Sequence, residues 1–354
     1  MSLPIQIKQW VSHQDGVENL SSTTAPMPVP GPSEVLVKIS AVALNYRDTE
    51  VVMGLYNHHK STGSQSPKIV PCSDMCGRIV ASNLPKWTVG DKVLSIFNQT
   101  HIKGRVKAAD MKSGLGLPLP GVLSEYRAFD AEGLVRKPEY LSDEEAATLP
   151  IAAMTAWMAV NGMRPLGQPG GRGEKVLIQG TGGVAISGLQ IAKASGSEVI
   201  ITSSSDAKLE VAKKLGADKT INYKTNPEWK QEVLKMTDDE GVDIIFENGG
   251  AETLRKSFEC IAFGGLINCI GYLSGKGDAA GDRTNTNVLA LRRNVTLKGL
   301  LNGPRERFEE MLAFYEEKKI KPVVDKVFQF AEAKEALIYL FAGGHFGKVV
   351  VRVE

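Results

Sequence analysis

The stretch GEKVLIQGTGGVAISGLQIAKASGSEVIITSSSDAKLEVAKKLGADKTINY, residues 173–223, decides the fold of this chain. An apolar run at 175–179 meets a glycine-rich turn, and residues 184–194 then carry apolar side chains at helical spacing. A second apolar run at 198–202 follows and ends in serines. This order of strand, tight turn, helix and strand predicts a β-α-β crossover of the dinucleotide-binding kind.

The small residues of this turn have separate structural tasks. Gly180 lets the chain turn sharply, Gly182 lets backbone N–H groups approach a pyrophosphate at the helix N-terminus, and Ala185 allows close packing of helix on strand. Purely structural glycine-rich turns are also common, so the flanking strand and helix carry the prediction. We expect a dinucleotide to contact Gly180, Thr181, Gly182, Gly183 and Val184.

The end of the second strand indicates which dinucleotide binds. A free ribose 2′-OH is usually held by an Asp or Glu about 20 residues past the glycines. Here that place holds Ser203, Ser204 and Ser205, whose hydroxyls can donate to a 2′-phosphate, and Lys208 can add a positive charge. Asp206 is the alternative ribose ligand, but after three serines it is better explained as a helix cap. The sequence therefore predicts NADP(H).

Bulk composition argues against several classes of partner. The chain has 354 residues, is 42% hydrophobic and 23% charged, and carries a formal net charge of +2. It shows no basic run that would indicate nucleic acid or an anionic membrane. Neither a signal peptide nor an apolar stretch of about 20 residues is apparent, so the cytoplasm is expected. The four cysteines, Cys72, Cys76, Cys260 and Cys269, are expected to be free thiols.

The patterns on either side of the crossover differ. The first 150 residues contain short strand patterns such as 34–39 and 77–80, and an irregular Gly- and Lys-rich segment at 98–121 predicts a surface loop. Ser142 and Glu145 form a capping-box pattern before a predicted helix that runs to Val160. Beyond residue 223, strand and helix patterns alternate, which predicts an α/β fold with a parallel sheet, and 348–353 forms a terminal strand.

Several motifs together resemble the medium-chain dehydrogenase/reductase superfamily, in its zinc-independent quinone-oxidoreductase and enoyl-reductase branch. They cover nearly the whole length and occur in the family's order: Asn45-Tyr46-Arg47-Asp48, Val89-Gly90-Asp91-Lys92-Val93, Ala146-Ala147-Thr148-Leu149-Pro150, Thr155-Ala156-Trp157, Gly180 to Ala185, Leu215-Gly216-Ala217-Asp218 and Gly347-Lys348-Val349-Val350. The resemblance implies a GroES-like, mostly β catalytic domain at 1–150 and 320–354, and a Rossmann domain at 151–319. It also implies a homodimer, formed through the sheet edge near 271–294.

The resemblance also bears on metal binding. In the zinc-dependent relatives, the ligands occupy the positions of Asn45, of Ser73 or Asp74, and of Ile151. An amide, a hydroxyl and an alkyl group do not hold zinc, which needs three protein ligands from Cys, His and carboxylate. Cys72 and Cys76 lack a second thiol pair, so packing cysteines are the better interpretation. We therefore expect no metal.

The catalytic candidates are Tyr56 and Asn45. Tyr56 lies eleven residues after Asn45, the spacing at which enoyl reductases of this branch carry a catalytic tyrosine, and a phenol can donate a proton or a hydrogen bond. A packing tyrosine in a loop is the open alternative. The resemblance implies that Asn45 donates to nicotinamide or substrate. Asp48 is interpreted as a structural partner of Arg47.

The resemblance implies further cofactor contacts from Thr155, Tyr223, Asn248, Gly271, Tyr272 and Lys348. Tyr223 resembles the tyrosine that binds the 2′-phosphate in NADPH-dependent quinone reductases, and packing is its alternative role. His58, His59 and His101 are expected at the surface.

The sequence thus predicts an NADPH-dependent, metal-independent oxidoreductase that reduces an activated C=C bond or a quinone. A ketone reductase or alcohol dehydrogenase of the same superfamily is one alternative, and a non-catalytic NADPH-binding protein is another. The substrate is a small molecule whose identity the sequence leaves open.

Overall fold

The computed structural model describes residues 3–56, 68–277 and 285–354. The chain forms two compact units, Met1–Met154 with Gly303–Glu354, and Thr155–Asn302. The second boundary lies before the expected residue 319, because the helix that follows belongs to the first unit. Its first backbone N–H groups, at Arg305 and Glu306, donate to the carbonyls of His101 (3.0 Å) and Ile102 (3.1 Å).

The first unit is built mainly from strands. Its strands are β1 (Gln6–Val11), β2 (Ser21–Pro26), β3 (Glu34–Leu44), β4 (Asp74–Ala81), β5 (Lys92–Ser95), β6 (Tyr126–Asp130), β7 (Leu134–Arg136), β14 (Val324–Gln329) and β15 (Lys348–Arg352). Its helices are α1 (Tyr46–Val52), α2 (Asp143–Ala147), α9 (Arg305–Lys318) and α10 (Ala333–Phe341).

A seven-stranded sheet in the order β14-β15-β3-β4-β5-β7, with β6 also paired to β3, forms the centre of this unit. The terminal strand returns to it, since residues 349–352 pair antiparallel with 41–44. The core includes Val37, Ile39, Met75, Phe129, Leu337 and Val351. The mostly β character predicted for this part of the chain is confirmed.

The second unit alternates strands and helices. Its strands are β8 (Lys175–Gln179), β9 (Glu198–Ser203), β10 (Lys219–Asn222), β11 (Val242–Glu247), β12 (Ile261–Cys269) and β13 (Thr296–Gly299). Its helices are α3 (Met154–Asn161, which starts at the boundary), α4 (Gly183–Ala194), α5 (Asp206–Lys214), α6 (Trp229–Met236), α7 (Leu254–Cys260) and α8 (Thr286–Arg292).

All six strands of the second unit run parallel, in the order β10-β9-β8-β11-β12-β13. This is the doubly wound order that binds dinucleotides at the carboxyl edge of the sheet. Close packing beneath that edge depends on Gly188 of α4, where an added Cβ would lie 2.6 Å from Phe246 Cε1 of β11. Ala185 is buried as predicted, but Gly188 makes the closer approach.

Two predicted segments differ in detail. The Ser142 capping box is present, with Glu145 N donating to Ser142 Oγ at 3.1 Å, but the helix does not run unbroken to Val160. Pro150 lacks an N–H donor, and a π-helical turn at Leu149–Ala153 separates α2 from α3. The 98–121 segment is not simply a surface loop. His101 is buried in it, which corrects its assignment to the surface, while His58 and His59 lie outside the described residues.

No helix in the described parts of the chain is long and apolar enough to cross a membrane.

Candidate active site and cofactor-binding edge

The glycine-rich turn has the backbone that a pyrophosphate-binding turn requires. Gly180 follows β8 directly and adopts φ +83°, a left-handed conformation that favours glycine. Gly182 occupies the N-cap position of α4, and no side chain caps the helix there. The first N–H groups of the helix are therefore left for a ligand, and the partial positive charge of this helix end favours an anion. The turn fits a dinucleotide.

The predicted adenosine end lies where β9, β10 and α5 meet. Ser203 is the last residue of β9, and its carbonyl accepts a hydrogen bond from Tyr223 N at 3.0 Å. The Ser203 hydroxyl is buried and accepts from Ser205 N at 3.4 Å. Ser204 and Lys208 are half-buried, and Tyr223 is exposed. The structure thus brings the four predicted 2′-phosphate donors together, and Ser204 is more accessible than Ser203.

The predicted cap of α5 is corrected by one residue. Ser205, rather than Asp206, is the N-cap, and its Oγ accepts from Lys208 N at 3.4 Å. Asp206 is the first residue of the helix, and its Oδ1 accepts a hydrogen bond from Asn222 Nδ2 at 2.8 Å. One oxygen of the alternative ribose ligand is therefore already engaged.

The predicted contacts at the ends of β11 and β12 form one layer of loops. Asn248 follows β11, but its Nδ2 donates to Gln179 O at 2.7 Å. Gly271 lies against it, since an added Cβ would be 2.6 Å from Asn248 O, and Tyr272 is the next residue. One N–H of the Asn248 amide is therefore engaged, which leaves its second N–H and its amide oxygen as the groups that could reach a cofactor. Sequence reasoning missed Gln179 and Glu247, although a polar residue ending an apolar strand marks both.

Thr155 is bonded to a residue outside this layer of loops. It is buried in the second unit, and its hydroxyl donates to Leu301 O at 3.4 Å. The Thr155 hydroxyl therefore has a carbonyl partner in the protein, and its contact with a cofactor stays a prediction.

In the first unit, Asn45 and Lys348 form a buried pair. Asn45 is the N-cap of α1, and Lys348 begins β15. Lys348 Nζ donates to Asn45 Oδ1 and to Leu44 O, each at 2.6 Å. Two of the three N–H donors of the Lys348 ammonium are occupied in this way, and one of them fixes the Asn45 side chain. The pairing turns the Asn45 carbonyl oxygen toward Lys348 and leaves the amide N–H group as a donor.

Two buried carboxylates complete this cluster. Asp48 Oδ2 accepts from Asn45 N at 2.8 Å, and its Oδ1 lies 3.1 Å from Arg47 Nη1. The second contact agrees with the prediction that Asp48 is a partner of Arg47. Asp74 accepts from Ser73 Oγ at 2.7 Å and from Ile151 N at 3.0 Å. The Ser73 and Ile151 positions therefore support a carboxylate rather than a metal ion.

The charges in this cluster perturb one another. Burial raises the pKa of Asp48 to about 6, opposed by the neighbouring Arg47. Burial also raises the pKa of Asp74, opposed by Lys348 and by the Asn45 amide. Burial lowers the pKa of Lys348, while the attraction of the two carboxylates acts to raise it. Although the Asn45 amide is near Asp74, its Nδ2 makes no well-formed hydrogen bond within the described residues.

Tyr56 lies against the same cluster. The Arg47 guanidinium is 4.9 Å from the centroid of the Tyr56 ring and 4.9 Å from that of Phe97, so it is stacked between two aromatic rings. Burial acts to lower the pKa of Arg47, but the neighbouring Tyr56 and Asp48 raise that pKa above its ordinary value. Tyr56 is thus linked to the Asn45 and Lys348 pair through Arg47 and Asp48. Sequence reasoning did not identify Arg47 and Phe97 as partners of Tyr56.

The donor set in the described part of the first unit does not resemble a zinc site. Among the residues described, no group of three or more His, Cys, Asp or Glu side chains could hold a metal ion. Cys72 and Cys76 are fully buried, and burial raises the pKa of each thiol well above its ordinary value. A protonated thiol is a poor ligand and a poor nucleophile, which supports a packing role for both.

Two family models match the chain. The alcohol dehydrogenase GroES-like domain matches residues 31–139, and the zinc-binding dehydrogenase family matches residues 183–317.

Individual proteins match over nearly the whole chain. A zinc-type alcohol dehydrogenase-like protein of Schizosaccharomyces pombe is 41% identical over 91% of this chain and 92% of its own length. A 2-methylene-furan-3-one reductase of Solanum lycopersicum is 30% identical over 99% of this chain and 80% of its own. The crystal structure of an NAD-dependent alcohol dehydrogenase is 31% identical, with a TM-score of 0.84, over 98% of this chain and 100% of that one.

Proposed function

Because this chain belongs to the medium-chain dehydrogenase/reductase superfamily, we propose that it is an NADPH-dependent reductase of an activated C=C bond, in an enone or enoyl compound, or of a quinone, and that it works without a metal. The observation that carries the proposal is the Asn45 to Lys348 hydrogen bond of 2.6 Å. It places an oriented amide donor, backed by a buried cation, at the position where zinc relatives have a ligand.

The chemistry of these residues suits conjugate reduction better than carbonyl reduction. NADPH, when bound, supplies the hydride. The charge that then develops on the substrate spreads into an enolate or a hydroquinone, which hydrogen-bond donors can stabilise without a Lewis acid. In the proposal, the Asn45 amide orients the reacting groups, Lys348 fixes that amide, and the Tyr56 hydroxyl donates to the developing oxyanion. The tomato reductase among the relatives is named for a substrate with a conjugated C=C bond.

The preference for NADPH rests on the adenosine end. Ser204, Lys208 and Tyr223 can donate to a 2′-phosphate near the carboxyl ends of β9 and β10, and one oxygen of Asp206, the alternative ribose ligand, is already bonded to Asn222. The glycine-rich turn 180–183 and the N-terminus of α4 would hold the pyrophosphate. The loops at 248–250 and 271–272 would approach the nicotinamide half.

We further propose a homodimer formed through β13. This strand ends the six-stranded sheet, with one edge unpaired among the described residues, and the large apolar residues Phe263, Leu291 and Leu297 are exposed near it. Part of the segment expected at the interface, residues 278–284, lies outside the described residues.

The proposal is tested by following NADPH and NADH oxidation with an enone, an enoyl thioester, a quinone and a saturated ketone. Metal content is measured in parallel. We expect turnover with at least one of the first three substrates, no stoichiometric zinc, and activity that survives a chelator. Zinc near one per chain, with activity lost on its removal, would contradict the metal-independent mechanism.

A ketone reductase or alcohol dehydrogenase is the second candidate, favoured by the names of the yeast relative and the solved structure. Turnover of the saturated ketone alone, or of an alcohol with the oxidised cofactor, would select it. Cofactor binding without turnover of any substrate would select a non-catalytic NADPH-binding protein.

A further inference from the structure

Gln179 and Glu247 form a buried polar pair beneath the cofactor-binding edge. Each is the last residue of its strand, β8 and β11 respectively, and the two are 6% and 1% exposed. Gln179 Nε2 donates to Glu247 Oε2 at 2.7 Å. The glycine-rich turn begins directly after Gln179, and the 248–250 loop begins directly after Glu247. A hydrogen bond between these side chains therefore links the two turns at their origins.

Glu247 receives only neutral donors. Its Oε1 accepts from Gly249 N at 3.1 Å, from Gly250 N at 3.0 Å and from Thr253 Oγ1, and its Oε2 accepts from Ser257 Oγ in addition to Gln179. No ion pair to Glu247 is present within the described ranges. Five donors converge on one side chain, an arrangement that suits an acceptor-only carboxylate and that no apolar residue could replace.

Gln179 also forms hydrogen bonds with the 248–250 loop. Its Oε1 accepts from Asn248 N at 3.1 Å and from Gly249 N at 3.0 Å, while its backbone carbonyl accepts from Asn248 Nδ2. The Gln179 amide nitrogen thus donates to the Glu247 carboxylate, and the amide oxygen accepts hydrogen bonds from the loop. Asn248, a predicted cofactor ligand, is held through two hydrogen bonds to this single residue, and Gly249 adds a third.

The network extends to the third strand of the edge. Ser274 N and Oγ donate to Gly249 O at 2.7 and 2.8 Å, and Ile270 N donates to Glu247 O at 2.9 Å. Gly249 has no room for a side chain, since an added Cβ would lie 2.2 Å from Thr253 Oγ1. The loops after β8, β11 and β12 are therefore fixed relative to one another.

We propose that Gln179 and Glu247 are positioning residues that set the spacing between the pyrophosphate-binding turn and the loops that meet the nicotinamide half of the cofactor. This inference rests on the proposed NADPH-dependent function and deepens it. The proposed adenosine end is built from β9, β10 and α5, and among the described residues no hydrogen bond of either side chain reaches it. Disturbing the pair should consequently weaken binding of the whole dinucleotide more than binding of its adenosine half.

The test compares wild type with Gln179→Glu, Glu247→Gln and the double exchange, in which the donor and acceptor trade places. Dissociation constants are measured by calorimetry for NADPH and for adenosine 2′,5′-bisphosphate, which carries only the adenosine half. We expect Gln179→Glu, which sets two carboxylates against each other, to weaken NADPH binding about tenfold or more and the fragment less than about twofold. The double exchange should recover most of the loss.

The controls separate this role from general stability. Gln231→Glu, an exposed change of the same kind on α6, should alter neither constant. If Gln179→Glu does not fold, Gln179→Met keeps the side-chain length and removes its hydrogen bonds. A proportional loss of both ligands, failure of both variants to fold, or no recovery in the double exchange would overturn the inference. A wild type that binds the fragment and NADPH equally weakly would instead overturn the proposed function.

Discussion

Arg47 makes Tyr56 a sharper experimental target than its position in a loop suggests. The guanidinium lies over the face of the ring, so Tyr56→Phe keeps this contact and removes the hydroxyl together with its hydrogen bond to Arg47. If that hydroxyl stabilises the developing oxyanion, kcat should fall by ~10- to 1000-fold while the NADPH dissociation constant stays nearly unchanged. Tyr126→Phe, in a sheet strand, is the matched control. An unchanged kcat would return Tyr56 to a packing role.

Cofactor choice is also decided by single side chains. Two or three good hydrogen bonds to the 2′-phosphate should favour NADPH over NADH by at least ~10-fold in Kd. Lys208→Ala should reduce that ratio and its salt dependence, because a cation acts on the phosphate mainly through charge. Ser204→Asp should lower the ratio further, since it opposes the phosphate with a carboxylate. Titrations with both cofactors measure these effects.

The control for the cofactor variants is Lys214→Ala, at the far end of the same helix and exposed. It should leave the ratio as in wild type. Equal affinity of the wild-type protein for NADH and NADPH would indicate that Asp206 faces the ribose after all.

Asp48 should make the free energy of unfolding depend on pH. Its pKa is raised to about 6 in the folded protein, above the ordinary 3.8. The folded state therefore binds more protons than the unfolded state between these values, and this contribution to the free energy of unfolding is lost as pH rises. Compared with Asp48→Asn, wild type should lose up to about 3 kcal/mol of relative stability between pH 4 and pH 7.

Urea unfolding of both proteins across this pH range measures the difference. Asp91→Asn is the control of opposite sign, because hydrogen bonding to Thr88 N lowers the pKa of Asp91, and its contribution is lost only as pH falls below the ordinary value. The difference between wild type and Asp91→Asn should stay flat from pH 5 to pH 7. A flat curve for Asp48→Asn as well would show that Asp48 is ionised throughout.

At the scale of elements, the contact between α4 and β11 depends on a single glycine. In Gly188→Ala the new methyl would lie 2.6 Å from a carbon of Phe246, which is fully buried. Overpacking of this kind costs ~1–3 kcal/mol, more than the gain of up to about 1 kcal/mol from alanine's helix propensity. Urea unfolding should show a net loss of stability, and adding Phe246→Leu should recover part of it. A Gly188→Ala protein more stable than wild type would contradict this packing argument.

Elements with strong local patterns could be predicted from the sequence. The β8-α4-β9 crossover follows from apolar runs and glycines, and the start of α2 follows from its capping box. β13 was missed because an edge strand is short and its side chains are mostly exposed, so no alternation marks it. The break between α2 and α3 depends on Pro150. Apolar residues at helical spacing lie on both sides of this proline, so the spacing alone predicts one continuous helix.

The candidate site was predictable only where motifs are local. The glycine-rich turn and the serines that follow β9 are contiguous in sequence. By contrast, the partner of Asn45 is 303 residues away in Lys348, and the partner of Gln179 is 68 residues away in Glu247. Such pairs arise from sheet order and register, which bring the ends of separate strands together. A single sequence contains no pattern that specifies them.

For the whole molecule, the edge of β13 determines how two copies would associate. An isolated edge strand with exposed apolar neighbours invites pairing with another strand, and pairing of two β13 strands would extend the sheet through a two-fold axis. Leu291 is 80% exposed and Phe263 is 76% exposed, which is costly unless they are covered. Light scattering after size exclusion should therefore give a dimer for wild type and a monomer for Leu291→Glu combined with Leu297→Lys. Val211→Glu, an exposed apolar residue on α5, should leave the dimer intact, and a monomeric wild type would show that β13 is not an interface in solution.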